Sequence, residues 1–221
     1  MVSLLDIIGP VMVGPSSSHT AGACRLGLIA RALIGGTPET ARVELHGSFA
    51  RTGTGHGTDR AIAGGLLGLQ PDDVRLRDSL EAADRAGLTI EFENTKLRGD
   101  HHPNTTRITV TRAGQSVVMI GSSIGAGRIV VTSIDGFPVH VTGSYTTLVV
   151  VARDEPGIVA KLATALADES LNLATMRVSR HRKGGDAIHI YELDSPPGPS
   201  ALQRIRAVAV VKSLRVIDRV A

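Results

Sequence analysis

The chain has 221 residues, 24 Lys and Arg against 21 Asp and Glu, and a formal net charge of +3. Its one cysteine, Cys24, excludes an intrachain disulfide framework and suits a reducing compartment. A 2% aromatic content with scattered arginines argues against nucleic-acid binding, and no run approaches the roughly 20 apolar residues of a membrane span. Met1 to Asp6 lacks the basic lead and cleavage site of a secretory leader, so a cytoplasmic protein is expected.

Gly14-Pro15 interrupts the first apolar segment, and Leu26, Ile29, Ala30 and Leu33, three or four apart, predict a helix beyond it. Between them, Ser16-Ser17-Ser18-His19-Thr20 places four hydroxyls and an imidazole in five positions at the helix start. Unpaired backbone N–H groups there point outward and the helix dipole favours negative charge, so the run forms a cradle for a small carboxylate. The same dipole is expected to keep His19 neutral and able to accept a proton. Plain N-capping competes with this reading, although one cap uses one or two hydroxyls. Cys24 falls on the apolar side of the helix, as a small buried hydrophobe.

Arg42 to Phe49 reads as a strand, Gly53-Thr54-Gly55-His56-Gly57 as a tight turn, and Arg60 to Leu69 as a helix. The glycine spacing misses the dinucleotide fingerprint, and no P-loop lysine follows. Glu91-Phe92-Glu93, Arg107 to Val110, Ser116 to Ile120 and Val130-Val131 predict short strands of a mixed layer. His101-His102-Pro103-Asn104-Thr105 is turn-prone, with no cysteine or carboxylate cluster at metal-ligand spacing nearby. His46 and His56 are expected to satisfy local backbone groups. In Ser122-Ser123-Ile124-Gly125-Ala126-Gly127, a positive φ at Ala126 would cost about 1 kcal/mol.

A boundary falls near residues 143–146, dividing the chain into 1–143 and 144–221. Tyr145 to Val151 is a β-branched run, followed by Asp154-Glu155-Pro156-Gly157 with Pro156 suited to the first helical position. Ile158, Leu162, Ala165 and Leu166 form a helix stripe, and Ala174, Met176 and Val178 alternate as in a half-buried strand. Lys183-Gly184-Gly185-Asp186 turns the chain into Ala187 to Leu193. A helix from Ser200 to Val208 and a strand from Leu214 to Val220 complete a ferredoxin-like β-α-β-β-α-β order. His181 and His189 lie on its strands, in exposed or cross-strand positions. The fold class is therefore α+β, with a mixed N-terminal part and this C-terminal unit.

Ser3-Leu4-Leu5-Asp6-Ile7-Ile8-Gly9-Pro10 and the serine–histidine run resemble the start of the β chain of bacterial iron–sulfur-dependent L-serine dehydratase (L-serine ammonia-lyase, a lyase). The likeness continues through His46-Gly47-Ser48, Gly53 to Ile62 and His102-Pro103-Asn104-Thr105. Residues 154–159 and 171–176 resemble the signature of ACT domains, which commonly pair across subunits and bind an amino acid. The resemblance places residues 1–143 in an allosteric-substrate-binding type of domain and raises His102 and Asn104 to substrate-site candidates. It assigns effector contacts to Asp154 and Asn172, although Ala152 stands where serine-binding relatives can carry a histidine. A purely structural or dimerising role for the ACT unit is the alternative.

Serine dehydration removes the α-proton and expels the β-hydroxyl, which needs both a base and an electrophile. None of the four lysines (Lys96, Lys161, Lys183, Lys212) stands in a pyridoxal-dependent dehydratase motif. An iron–sulfur cluster needs several thiolates, and this chain has one. The resemblance thus implies a 4Fe-4S cluster held by a partner α subunit, with none bound by this chain alone. In that arrangement His19 transfers the proton, and Ser16, Ser17, Ser18 and Thr20 bind L-serine. Self-association through either part is also expected. A stand-alone amino-acid sensor is the rival, and a nucleotide-binding protein trails it.

Overall fold

A computed structural model describes residues 10–220, so the Ser3 to Gly9 part of the opening motif lies outside the described residues. A π-helical turn, Ser17–Gly22, leads into α1, Ala23–Ile34. Leu26, Ile29, Ala30 and Leu33 are all buried, as their spacing predicts. β1 (Thr40–His46), α2 (Ser48–His56), α3 (Thr58–Leu67), a 3₁₀ turn (Val74–Asp78), α4 (Ser79–Arg85) and β2 (Thr89–Thr95) follow. A meander of β3 (Thr105–Arg112), β4 (Gln115–Gly125), β5 (Arg128–Ile134) and β6 (Phe137–Val141) completes a sheet of order β2-β1-β3-β4-β5-β6. β1 pairs parallel with β2 and antiparallel with β3. The parallel pair requires a long crossover, and the three helices α2, α3 and α4 supply it.

α1 and α3 pack backbone to backbone. A Cβ on Gly65 would lie 2.1 Å from the Cys24 carbonyl oxygen, so only glycine permits this approach. Cys24 itself is buried, with its thiol 3.2 Å from the Leu69 carbonyl oxygen, in the core role read from the sequence.

The second sheet, of order β10-β7-β9-β8, comprises β7 (Thr146–Arg153), β8 (Leu173–Arg180), β9 (Asp186–Leu193) and β10 (Val211–Ile217). α5 (Ile158–Ala167) and α6 (Pro199–Arg206) complete the β-α-β-β-α-β order expected for the C-terminal unit. Leu148, Val150 and Tyr191 pack under Leu162 and Ile205 on the helix-bearing face. Val149, Ile188, Ile190 and Ile217, on the opposite face, join the core built on α1 and the first sheet. Sheet faces alternate residue by residue, so β7 and β9 serve two cores at once.

Five local expectations are corrected. β1 stops at His46, and Ser48 and Phe49 belong to α2. Gly53 to His56 is therefore helix rather than a turn, held down by Phe49, which is fully buried. The tight turn is instead at Gly47, where φ is +60° and a Cβ would meet the Pro103 carbonyl oxygen at 2.5 Å. Pro156 lies before α5, whose N-cap is Gly157. Met176 and Val178 are 48% and 41% exposed because β8 is the sheet edge and the α5–α6 layer does not cover it. His189, by contrast, is fully buried beside Tyr191, with ring centroids 6.3 Å apart.

Candidate active site

Ser16 has extended backbone (φ −143°, ψ 122°) and caps the π-helical turn by accepting the His19 N–H at 3.3 Å. Capping is thus part of what this run does, but one serine does it. Ser17, Ser18, His19 and Thr20 lie inside the turn, whose widened winding is a common feature of functional sites. The turn brings His19 back over Ser16, with Oγ 3.4 Å from Nδ1.

The other side of the imidazole meets α2. Thr52 Oγ1 lies 3.0 Å from His19 Nε2, and Ser48 Oγ lies 3.5 Å away. Thr52 donates its hydroxyl proton to the Ser48 carbonyl at 2.9 Å, which leaves its oxygen to accept from Nε2–H. This network assigns the tautomer: Nε2 carries the proton and Nδ1 presents its lone pair toward Ser16. The His56 ring stands 5.0 Å away, and Phe49 meets His19 edge-on at 5.2 Å.

Burial pushes the His19 pKa below its ordinary 6.5, the nearby His56 adds to the lowering, and a backbone bond at Ser48 opposes it. The neutrality expected from the helix dipole has its physical cause in burial and a second imidazole. A neutral, oriented imidazole at pH 7 is a competent proton acceptor.

Thr20 is 4% exposed and its Oγ1 has no hydrogen-bond partner. His102 is exposed and accepts the Asn104 N–H at 3.1 Å through Nδ1, while Asn104 Oδ1 is buried and unpartnered. The Pro103 carbonyl accepts the Ser48 N–H at 2.7 Å, which ties this turn to the start of α2. The structure thus brings Ser16 and His19 together, and holds the His102–Asn104 turn one backbone bond from Ser48. His56 Nδ1 donates to the Thr52 carbonyl at 2.9 Å, and His46 Nδ1 accepts the Leu97 N–H at 3.2 Å, both satisfying backbone groups as expected.

Ser48, Thr52 and His56, absent from the sequence-derived candidates, surround His19. Their spacing of four residues puts them on one face of a helix, a signal hidden while this segment was read as strand and turn. Far from them, Asp154 accepts the Gly184 N–H at 3.0 Å and an Arg180 bond at 2.5 Å, which hold its carboxyl below the usual range. Asn172 Nδ2 donates to Asp194 at 2.6 Å, so the two effector candidates engage different partners.

The residues of this chain do not fit an iron–sulfur cluster. Burial pushes the Cys24 thiol up to about 12, and no group of three His, Cys, Asp or Glu side chains gathers among the described residues. Nor is any helix among them long and apolar enough to cross a membrane.

Residues 3–98 match the family described as serine dehydratase beta chain, and residues 146–210 match the ACT domain. The chain is 43% identical over 192 residues to the probable L-serine dehydratase, beta chain, of Bacillus subtilis, covering 87% of each. It is 36% identical over 217 residues to the L-serine dehydratase, beta chain, of Peptoniphilus asaccharolyticus, covering 98% of each. It is also 29% identical over 189 residues to a D-3-phosphoglycerate dehydrogenase of Synechocystis, covering 85% of this chain and 34% of that one. With the His19 motif and the ACT unit both in place, the chain belongs to the family of L-serine dehydratase β chains.

Proposed function

We propose that this chain is the β subunit of a cytoplasmic L-serine dehydratase that converts L-serine to pyruvate and ammonia, with His19 as its proton-transfer residue. The observation that carries this is the half-buried imidazole, kept neutral by burial and pinned through Nε2 to Thr52, with Nδ1 left basic. His19 Nδ1 takes the α-proton, the electrons of that bond form the Cα–Cβ double bond, and the β-hydroxyl leaves as hydroxide, which takes up the proton held by His19 to become water. The resulting aminoacrylate tautomerises and hydrolyses to pyruvate and ammonia. Ser16, Ser17, Ser18 and Thr20 bind substrate around this base, with His102 and Asn104 behind them. The electrophile belongs to a partner α subunit carrying a 4Fe-4S cluster, since the donor set here does not suit one. Residues 1–143 form a domain of the allosteric-substrate-binding type and residues 144–221 the ACT domain, where Asp154 and Asn172 contact an effector; copies of the chain associate through one or other of these domains.

A second reading is favoured by the dehydrogenase relative: most of this chain aligns with one third of an enzyme bearing another name. On that reading the chain senses an amino acid or organises an assembly, and takes no part in chemistry. Co-expression with a neighbouring cysteine-rich frame, anaerobic purification and assay of pyruvate from L-serine separate the two. Activity that needs both chains supports the subunit. Brown protein active from this chain alone contradicts it, and a complex that binds L-serine without turnover favours the sensor.

A further inference from the structure

A cavity of about 270 Å³ opens beside His19, sharing His56 as a wall. Its polar lining consists of His56, Arg60, Arg77 and Thr20, and none of its lining residues is acidic. α3, ten residues long, begins at this cavity: Gly57 is its N-cap in left-handed conformation (φ +69°), with no side chain capping the helix. Asp59, the acidic residue of the first turn, directs its carboxylate to the Arg60 backbone N–H at 2.9 Å. Thr20, more than nine-tenths buried, lines the cavity with an unpartnered Oγ1, and Thr58 Oγ1 at the first position of α3 is buried and unpartnered as well. Two guanidiniums, a helix N-terminus and the orphaned Thr20 hydroxyl converge here on a space too small for a nucleotide, since pockets for drug-sized ligands run from about 300 to 1,000 Å³.

We propose that Arg60 and Arg77, with the N-terminus of α3, hold the carboxylate of the amino-acid substrate and so set its α-carbon beside His19, leaving the amine to Ser16, Ser17 and Ser18. The inference rests on the dehydratase reading and adds to it two positioning residues 17 positions apart in sequence. A guanidinium offers a planar fork that matches a carboxylate, and two of them select a free α-carboxylate over an amide or ester. Leu76 and Ala61 supply the apolar part of the wall, against which a short side chain fits.

The test uses the assembled two-chain enzyme with Arg60→Gln, Arg77→Gln and the double variant. Both arginines are exposed, so the fold does not depend on them. Each single variant is expected to raise KM for L-serine about 10-fold, and the double variant about 100-fold, with kcat falling less than KM rises. Arg77→Lys recovers part of the loss, because charge survives without the fork. Discrimination between L-serine and L-serinamide collapses in the double variant. An unchanged KM in the double variant overturns the proposal. So does failure of that variant to assemble with its partner, since the arginines then meet an acidic surface of the other subunit. If the wild-type complex does not dehydrate serine at all, the dehydratase reading fails, and the subsite is still read directly on this chain. Acetate, unlike acetamide, is then expected to shift the His56 ring resonances in the wild type and not in the double variant; no shift in the wild type also overturns the subsite.

Discussion

The histidine at the start of α1 and the histidine inside the second sheet are displaced in the same direction for the same leading reason. Burial lowers the pKa of both His19 and His189. Their surroundings nevertheless differ in kind. His19 is half-buried, held by Ser16 and Thr52, and borders a cationic cavity through His56. His189 is fully covered, both ring nitrogens lack partners, and Tyr191 and Asp154 are the titratable groups facing it. A lowered pKa therefore does not mark a site by itself. Access and an orienting partner separate a base from a packed core side chain.

The largest effect expected from this contrast is on turnover. His19→Ala in the two-chain enzyme lowers kcat by about 100-fold or more, as removal of a general base does. His189→Leu in the same enzyme leaves kcat within about 3-fold, since that ring touches no reacting atom.

The next effect is on pH dependence. Because the His19 pKa is depressed below 6.5, kcat/KM stays level from neutrality to about that pH and falls only in more acidic solution. His56→Gln removes a neighbouring charge that opposes protonation of His19, so the acid limb moves to higher pH. A limb that stays in place removes His56 from the electrostatics of the base.

A third effect concerns stability. Above about pH 6.5 His189 is neutral in both folded and unfolded chains and contributes no pH dependence. Below it the unfolded chain binds the proton first, so stability falls as pH drops toward the depressed folded value. His19 and His46 act with the same sign, because their pKa values are lowered too. Denaturant titrations at pH 7.5 and 5.5 therefore show an acid loss in the wild type that His189→Leu reduces without abolishing.

The comparison also explains what the amino-acid order disclosed. The helix stripe of α1 was legible because its spacing of three and four matches the helical turn, and the ferredoxin-like order because continuous apolar runs for β7 and β9 alternate with helix stripes and turn residues. The glycine-rich segment was not, since glycine disfavours helix and only the burial of Phe49 and the turn at Gly47 make α2 worthwhile. Ser48, Thr52 and His56 share a face only in a helix, so half of the surroundings of His19 depend on that conformation. Met176 and Val178 alternate as a covered strand does, but edge position is set by strand order, which alternation does not encode. His189 reads as an ordinary polar residue until strand pairing with Val150 and Val178 puts it under the helices.

The smallest effect lies at Ala126. Ala126 has φ +51°, so the condition under which alanine is strained at this position is met. Ala126→Gly relieves a strain of about 1 kcal/mol, offset in part by the added freedom of the unfolded chain. A gain of roughly 0.5 kcal/mol in denaturant-derived stability is expected, and a loss would show that the hairpin tolerates alanine without strain.

The most direct measurement is a structure of the assembled α–β enzyme with L-serine bound. The account predicts His19 Nδ1 facing the substrate α-carbon, in direct contact or through one water, with the α-chain cluster on the far side of the substrate. A His19 imidazole turned to bulk solvent, remote from both substrate and cluster, contradicts it.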